Sequence, residues 1–193
     1  VFESSAIRLP SDDEANSTPP AVASTPAASD PRDTPDCHFT VPVAASVDLP
    51  RFMGPWHVIG VIPTFLERDI YNAVESYELA PDGTINTTFT FNKGAFDGPA
   101  KRMQPKGFVV EGSRNAVWGM QFIWPIKAEF VIAHVDEQYS ETIIARSARD
   151  YVWIMARSPS ISEARYAALV ERVKAMGYDT GKLVKVPHQV GKR

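Results

Sequence analysis

Apolar and polar residues alternate in short runs from about residue 54 onward. In the clearest run Ile85, Thr87, Phe89 and Phe91 occupy one parity, and the residues between them are polar. Alternation with a period of two is typical of a β-strand that buries one face. The tripeptide at 81–83, Pro-Asp-Gly, stands directly before this run and favours a hairpin turn. The pattern therefore predicts a meander of antiparallel strands.

Eight runs of this kind can be distinguished, separated by turn residues. They span residues 56–62, 72–79, 84–92, 102–111, 117–124, 129–135, 141–146 and 151–157. Eight strands joined by short turns fit either a sandwich or a closed up-and-down barrel. The barrel is favoured because consecutive hairpins need no crossover and closure removes both sheet edges.

After the eighth run the apolar period changes from two to 3.6, which is typical of an amphipathic helix. The apolar stripe consists of Tyr166, Leu169, Val170, Val173 and Met176. Ser160 and Glu163 have the spacing of a capping box, and Gly177 marks the end of the helix. The predicted fold class is thus all-β, an eight-stranded antiparallel up-and-down barrel with one C-terminal α-helix packed outside.

The first quarter of the chain has a different composition. Half of the 16 prolines lie in the first 50 residues, among Ala, Ser and Thr, and no glycine precedes Gly54. Such a segment buries too little apolar surface to fold. We expect a tether over 1–46, a domain over 47–188 and a flexible tail over 189–193. The tether is either an untied tail or a spacer that holds the domain away from a membrane or cell wall, with Cys37 as the candidate lipid anchor, and the start at Val1 suggests a removed signal peptide.

Composition and charge exclude several classes of function. The 193 residues are 44% hydrophobic and carry a net charge of -3, without the clustered Lys and Arg that phosphates require, so we expect no nucleic-acid partner. The single cysteine, Cys37, leaves no internal disulfide and no multi-cysteine metal site. The four histidines lack metal-ligand spacing, so we predict no metal, no cofactor and no catalytic residues.

Three short motifs resemble the sequence signatures of lipocalins, in the order in which that family carries them. They are Gly54-x-Trp56, the segment 136–139 that begins with Asp136 and ends with Tyr139, and Arg157. The segments 47–56, 149–159 and 177–183 are similar to bacterial outer-membrane lipocalins and apolipoprotein D, and the resemblance covers roughly 47–188. It implies that Trp56 plugs the closed end of the barrel beneath Arg157, and that the barrel holds a hydrophobic ligand.

Parity identifies the residues that we expect to face the barrel interior. Bulky side chains alternate with small or polar ones, which indicates either an ordinary packed core or a cavity with space left unfilled. The cavity is favoured because a closed barrel has only one inner face. The candidate ligand-binding residues are Val58, Gly60, Ala73, Glu75, Tyr77, Thr87, Phe89, Phe91, Trp118, Met120, Phe122, Trp124, Ile132, His134, Tyr151 and Trp153.

Two of these candidates carry chemistry. Glu75 either faces solvent, if the register of its strand differs, or faces inward, where burial raises its pKa and it binds a ligand hydroxyl or carboxyl. Lys106, at a similar depth, is a candidate partner. An inward His134 would be able to ligate haem, so the alternative function is a haem- or pigment-binding enzyme in the same barrel.

We therefore predict a binding protein, not an enzyme, that transports or stores a fatty acid, a lysophospholipid or a similar hydrophobic molecule. The loop 64–71 is expected to form the cavity mouth. The expected location is periplasmic, outer-membrane associated or secreted. Membrane association through the tether and a homodimer through outward apolar residues such as Ile123 are left open by the sequence.

Overall fold

The computed structural model describes residues 41–64 and 67–189, in which ten strands form one antiparallel sheet. Apart from the fourth and tenth strands, each strand pairs with the next one along the chain, and the ninth strand returns to the first, which closes a barrel. The strands are β1 (Gly54–Ile62), β2 (Ile70–Leu79), β3 (Ile85–Lys93), β4 (Ala100–Met103), β5 (Lys106–Val109), β6 (Val117–Ile123), β7 (Ile126–Val135), β8 (Glu141–Ala145), β9 (Val152–Ala156) and β10 (Val184–Lys185). The helices are α1 (Leu49–Phe52) and α2 (Glu163–Ala175), followed by a 3-10 turn at Thr180–Lys182.

The predicted eight-stranded barrel is confirmed, with two departures. The expected strand at 102–111 is divided into β4 and β5, which both pair with β3 and share one barrel position. Pro105, which has no N–H to donate to a ladder, lies at the break. The other departure is β10, which pairs with β1 at Gly60 and Val61, above the point where the pairing of β1 with β2 ends at His57.

The floor of the barrel is a packed cluster of aromatic rings. Trp56 is fully buried, and its Nε1 donates to the Phe52 carbonyl at 2.8 Å. Phe52 comes from α1, whose first turn is capped by the Asp48 side chain. Neighbouring ring centroids in this cluster are 5.1 to 6.1 Å apart, and the rings are those of Phe52, Trp56, Tyr77, Trp118 and Phe130.

Arg157 covers this floor from outside. Its guanidinium carbon lies 3.8 Å from the centroid of the Trp56 ring, which is a cation-π contact. The same group donates to the carbonyls of Arg51, Phe52, Met53 and Pro55 at 2.8 to 3.1 Å. Gly54 stands at the tightest point, with a φ of +91° that strains any other residue.

The turn between β7 and β8 contains the second motif, residues 136–139, and lies against the same floor. Asp136 accepts hydrogen bonds from Ser140 N at 2.6 Å and Glu141 N at 2.7 Å. Burial raises the pKa of Asp136, but these hydrogen bonds outweigh burial and leave the pKa below its ordinary value. Tyr139 accepts from Asp48 N at 2.8 Å, so the three motifs meet at one end of the barrel.

The predicted helix lies on the outside of the sheet, as α2. Leu169, Val173 and Met176 are buried against the outward faces of β7, β8 and β9. The N-cap is Ser162, whose side chain accepts from Arg165 N, so the capping role expected of Ser160 was wrong. Gly177 follows the helix with a φ of +86°, as the terminating glycine requires.

The segment before α1 is held against the barrel. Val41 is buried, and Ala44 N donates to the Ile132 carbonyl at 2.9 Å, so residues 41–46 of the expected tether pack on the domain. Residues 1–40, with Cys37, and residues 190–193 lie outside the described part of the chain. Within the described ranges, no helix has the length and apolar character needed to cross a membrane.

Removing the plug should open a cavity at the floor. Replacing Trp56 with Ala is expected to lower the free energy of unfolding by about 3–5 kcal/mol, because the aromatic cluster cannot collapse onto the space. Urea denaturation followed by circular dichroism measures this loss. The control is Trp124→Ala at an exposed tryptophan, which should change stability by no more than about 0.5 kcal/mol. Equal stabilities for the two variants would contradict the role of Trp56.

Candidate functional site

A cavity of about 220 Å³ occupies the upper half of the barrel, above the aromatic floor. Its lining residues come from the loop after β1, from strands β2, β3, β4, β6, β7 and β9, and from the connection between β8 and β9. They are Thr64, Glu67, Glu75, Phe89, Met103, Met120, Phe122, Ala128, Glu129, Phe130, Arg146, Tyr151 and Trp153. Lining of this kind, mostly apolar with a few polar groups, is typical of small-molecule sites.

The two interpretations of the inward residues, a packed core and a cavity, each apply to part of the barrel interior. The candidates that line the cavity are Glu75, Phe89, Met120, Phe122, Tyr151 and Trp153. Other candidates belong to the close-packed interior and its floor, namely Val58, Ala73, Tyr77, Thr87, Phe91, Trp118 and Ile132. Parity alone does not distinguish these groups, because it gives the direction of a side chain and not its depth in the barrel.

Gly60 was placed inside the barrel by parity, and that placement was wrong. The pairing of β1 with β9 shifts by one residue between Val58 and Gly60, so Ile59 forms a bulge. After the bulge the parity reverses, and a Cβ atom on Gly60 would meet Tyr166 of α2 at 2.9 Å. Gly60 therefore makes room for the outer helix and not for a ligand.

The inward placement of His134 was also wrong, for the same reason. A bulge at Ala133 shifts the pairing of β7 with β8, and His134 then pairs with Ile143, whose side chain packs in the outer cluster. Burial lowers the pKa of His134, and Arg172 of α2 lowers it further. No histidine of the described residues lines the cavity, so the haem alternative has lost the residue on which it was based.

Trp124 is the third correction. It lies on the turn between β6 and β7 and is 82% exposed, because the regular pairing of the two strands is interrupted after Met120. Phe122, Ile123 and Ile126 beside it are also exposed, although Phe122 reaches the cavity mouth. These residues, 122–126, form an apolar hairpin tip at the open end of the barrel.

Glu75 faces inward, with 2% of its surface exposed. It pairs with Trp56 on one side and Phe89 on the other, and its Oε2 has no hydrogen-bond partner. Burial raises the pKa of Glu75 well above its ordinary value, and the nearby Glu67 raises it further. Lys106, the expected partner, instead contacts Asp82 at 3.3 Å on the outer surface.

Glu67 is a second buried carboxyl that parity did not identify, because it lies in the loop after β1. Its Oε2 accepts from Thr64 N at 3.1 Å, and its Oε1 accepts from the Tyr151 hydroxyl at 3.3 Å. Burial raises the pKa of Glu67, and these hydrogen bonds partly offset that effect. The loop expected to form the mouth therefore also places an acid in the cavity.

Arg146 and Glu129 stand opposite, near the mouth. Arg146 follows β8 and pairs with Asp150 at 3.3 Å, with about a third of its side chain exposed. Glu129 accepts from Ser147 N at 2.6 Å, which holds the turn after β8 in place. Among the described residues, no group of three or more His, Cys, Asp or Glu side chains is arranged to hold a metal ion.

Comparison with known proteins gives a family match and several relatives. The family model described as a lipocalin-like domain matches residues 47–188. Temperature-induced lipocalin-1 of Arabidopsis thaliana is 31% identical, over 75% of this chain and 81% of that protein. Outer membrane lipoprotein Blc of Vibrio cholerae is 24% identical, with 78% and 88% covered. The solved structure of insecticyanin from Manduca sexta matches with a TM-score of 0.60 at 15% identity, over 78% of this chain and 85% of that one.

The buried acid makes stability depend on pH. Because the pKa of Glu75 is raised in the folded state, the folded protein keeps a proton that the unfolded chain releases above about 4.5, so stability falls as pH rises from there towards the raised pKa. Glu75→Gln cannot titrate. Its free energy of unfolding, measured in urea, should therefore increase relative to wild type between about pH 5 and pH 8. The same change at the exposed Glu171 measures the effect of net charge alone.

Proposed function

Because the chain belongs to the lipocalin family, whose members generally bind hydrophobic small molecules, we propose that it transports or stores such a molecule in its barrel cavity. The observation that carries this proposal is a cavity with an apolar wall above a sealed floor. We propose a fatty acid, a lysophospholipid or a similar molecule as ligand. In this role the protein binds its ligand and releases it unchanged.

The size of the cavity limits how much of a ligand is enclosed. At about 220 Å³ it is larger than the roughly 150 Å³ engineered cavity that binds benzene, and smaller than the roughly 300 Å³ of most drug-sized sites. A long alkyl chain therefore lies partly in the cavity and partly along the mouth. Each methylene that leaves water contributes about 0.8 kcal/mol.

Filling the cavity should abolish this binding. Ala128 lines the wall beside Met120, and Ala128→Phe places a ring in the enclosed space. We expect the affinity of this variant for the fluorescent probe N-phenyl-1-naphthylamine to fall at least about tenfold. Its affinity for dodecanoic acid, measured by displacement of the probe, should fall by a similar factor. Fluorescence titration measures both. The control, Ala168→Phe on the exposed face of α2, should bind as the wild type does.

The natural ligand is identified by extracting the protein from its native source with organic solvent and analysing the extract by mass spectrometry. A fatty acid or lysophospholipid in stoichiometric amount supports the proposal. A visible absorption band of the purified protein would instead favour a pigment. Failure of every apolar probe to bind would contradict the proposal itself.

The exposed hairpin tip supports a second proposal, that the open end of the barrel contacts an anionic membrane surface. Four large apolar side chains at this tip, Phe122, Ile123, Trp124 and Ile126, are 58 to 82% exposed. Lys127 follows the tip, and Lys101 and Arg102 lie on β4 at the same end of the barrel. Apolar groups flanked by cations suit a negatively charged bilayer. A location in the cell envelope or outside the cell is consistent with this, since one relative is named an outer membrane lipoprotein.

Sedimentation with vesicles tests the membrane contact. The double variant Trp124→Ser, Ile126→Ser should lose most binding to vesicles that contain phosphatidylglycerol, whereas Leu79→Ser, Val110→Ser, exposed at the closed end, should not. Binding should also weaken with salt. If the tip instead joins two copies of the chain, analytical ultracentrifugation will show a dimer that the first double variant abolishes, and vesicle binding will be absent.

A further inference from the structure

One wall of the cavity combines two carboxyl groups with three aromatic rings. We define this acid–aromatic wall as Glu67, Glu75, Phe89, Tyr151 and Trp153. Glu75 is the cross-strand partner of Phe89, whose ring centroid is 4.9 Å from that of Trp153. The ring centroids of Trp153 and Tyr151 are 5.3 Å apart, and the Tyr151 hydroxyl donates a hydrogen bond to Glu67. The five side chains thus form a continuous arc on one side of the cavity.

This arc contains polar atoms that the protein itself leaves without partners. Glu75 Oε2 is buried in a residue that lines the cavity, and it has no hydrogen-bond partner. Nearby, the buried Tyr77 hydroxyl also has no hydrogen-bond partner. A buried polar group without a partner destabilises the fold, so such groups are rare unless they serve a function. A ligand with a polar head that enters the arc would relieve this cost.

The charges around the arc favour one kind of head. Among the described residues that line the cavity, Arg146 is the single cation, and it pairs with Asp150 near the mouth. The Nε atom of Arg146 is buried without a hydrogen-bond partner, but no neighbouring cation lowers the pKa of Glu67 or Glu75. When these glutamates are ionised, a carboxylate or phosphate placed against the arc meets charges of its own sign, while a positive charge meets the opposite sign.

We propose that the acid–aromatic wall binds the charged nitrogen of an organic ammonium ion, with the alkyl chain of that ligand directed along the apolar wall to the mouth. This inference rests on the proposed binding function and specifies the class of its ligand. Aromatic faces attract alkylammonium groups, and the carboxyl groups supply the counter-charge. The apolar part of the lining, with Met103, Met120, Ala128 and Phe130, receives the chain.

The proposal makes binding depend on pH in a definite direction. The groups that face Glu75 are Glu67 from the loop after β1, Tyr77 on β2 and Tyr151 beside β9, with Arg146 and Glu129 near the mouth. Burial raises the pKa of Glu75, which favours the protonated carboxyl in the empty protein. A permanent cation displaces that proton, and its affinity therefore rises as pH rises.

Three ligands with the same chain isolate the effect of the head group. Decyltrimethylammonium, decanol and decanoic acid are titrated into the full chain by calorimetry, below their micellar concentrations. At about pH 8 we expect decyltrimethylammonium to bind at least tenfold more tightly than decanol, and this advantage should shrink at about pH 5. In Glu75→Gln the advantage should fall to about threefold or less, while decanol binds as before. Glu171→Gln, exposed on α2, is the matched control and should keep the advantage.

The outcomes separate this inference from the proposed function. Equal affinity for the three ligands, or an ammonium advantage that persists in Glu75→Gln, overturns the ammonium site and leaves hydrophobic binding intact. Preference for decanoic acid at about pH 8 also overturns it. Binding of none of the three overturns both. If Glu75→Gln does not fold, the ammonium advantage over decanol is measured in Glu67→Gln, where it should also fall. Its pH dependence in the wild-type protein is a second test.

Discussion

The barrel depends on a single guanidinium group at its closed end. Arg157 stacks on Trp56 and donates to four carbonyls of the segment from Arg51 to Pro55, the last turn of α1 and the start of β1. The carbonyls of Arg51, Phe52 and Met53 precede β1 and have no strand partner, so the guanidinium supplies donors where the chain enters the barrel. The positive charge at the end of α1 also has the sign that the helix dipole favours. The Arg157 side chain thereby joins the beginning of β1 to the end of β9.

The sealed floor explains how the upper half can remain hollow. The ring cluster below is closely packed, with neighbouring ring centroids 5.1 to 6.1 Å apart, and it contributes hydrophobic stabilisation to the fold. The upper half is then free to contain groups that lower stability, such as Glu75 and Glu67, whose pKa values are both raised by burial. Stability and the chemistry of the cavity are thus assigned to opposite ends of the same sheet.

The sequence predicted the fold well because alternation, turn residues and the helix stripe all agree. It predicted Phe89, Tyr151 and Trp153 inside the barrel from the regular alternation of their strands, and it left Glu75 open between an inward and a solvent-facing position. It failed at Gly60 and His134, where a bulge of one residue reverses the parity and leaves no mark in the hydrophobic pattern. Glu67 escaped for another reason: its burial depends on a loop that folds over the mouth, and loops have no period from which direction can be inferred.

The short strand β10 has a consequence for how the chain is made. It occupies the place beside β1 that β2 leaves free above His57, and Val186 N donates to the Ile59 carbonyl there. During synthesis, β1 emerges from the ribosome among the first strands, yet its upper half obtains both neighbours only after β9 and β10 have followed. Until then, the backbone N–H and C=O groups of this half of β1 make hydrogen bonds with water instead of with neighbouring strands. The barrel therefore closes as a late, long-range event, and the pairing of β1 with β10 forms only after the end of the domain has left the ribosome.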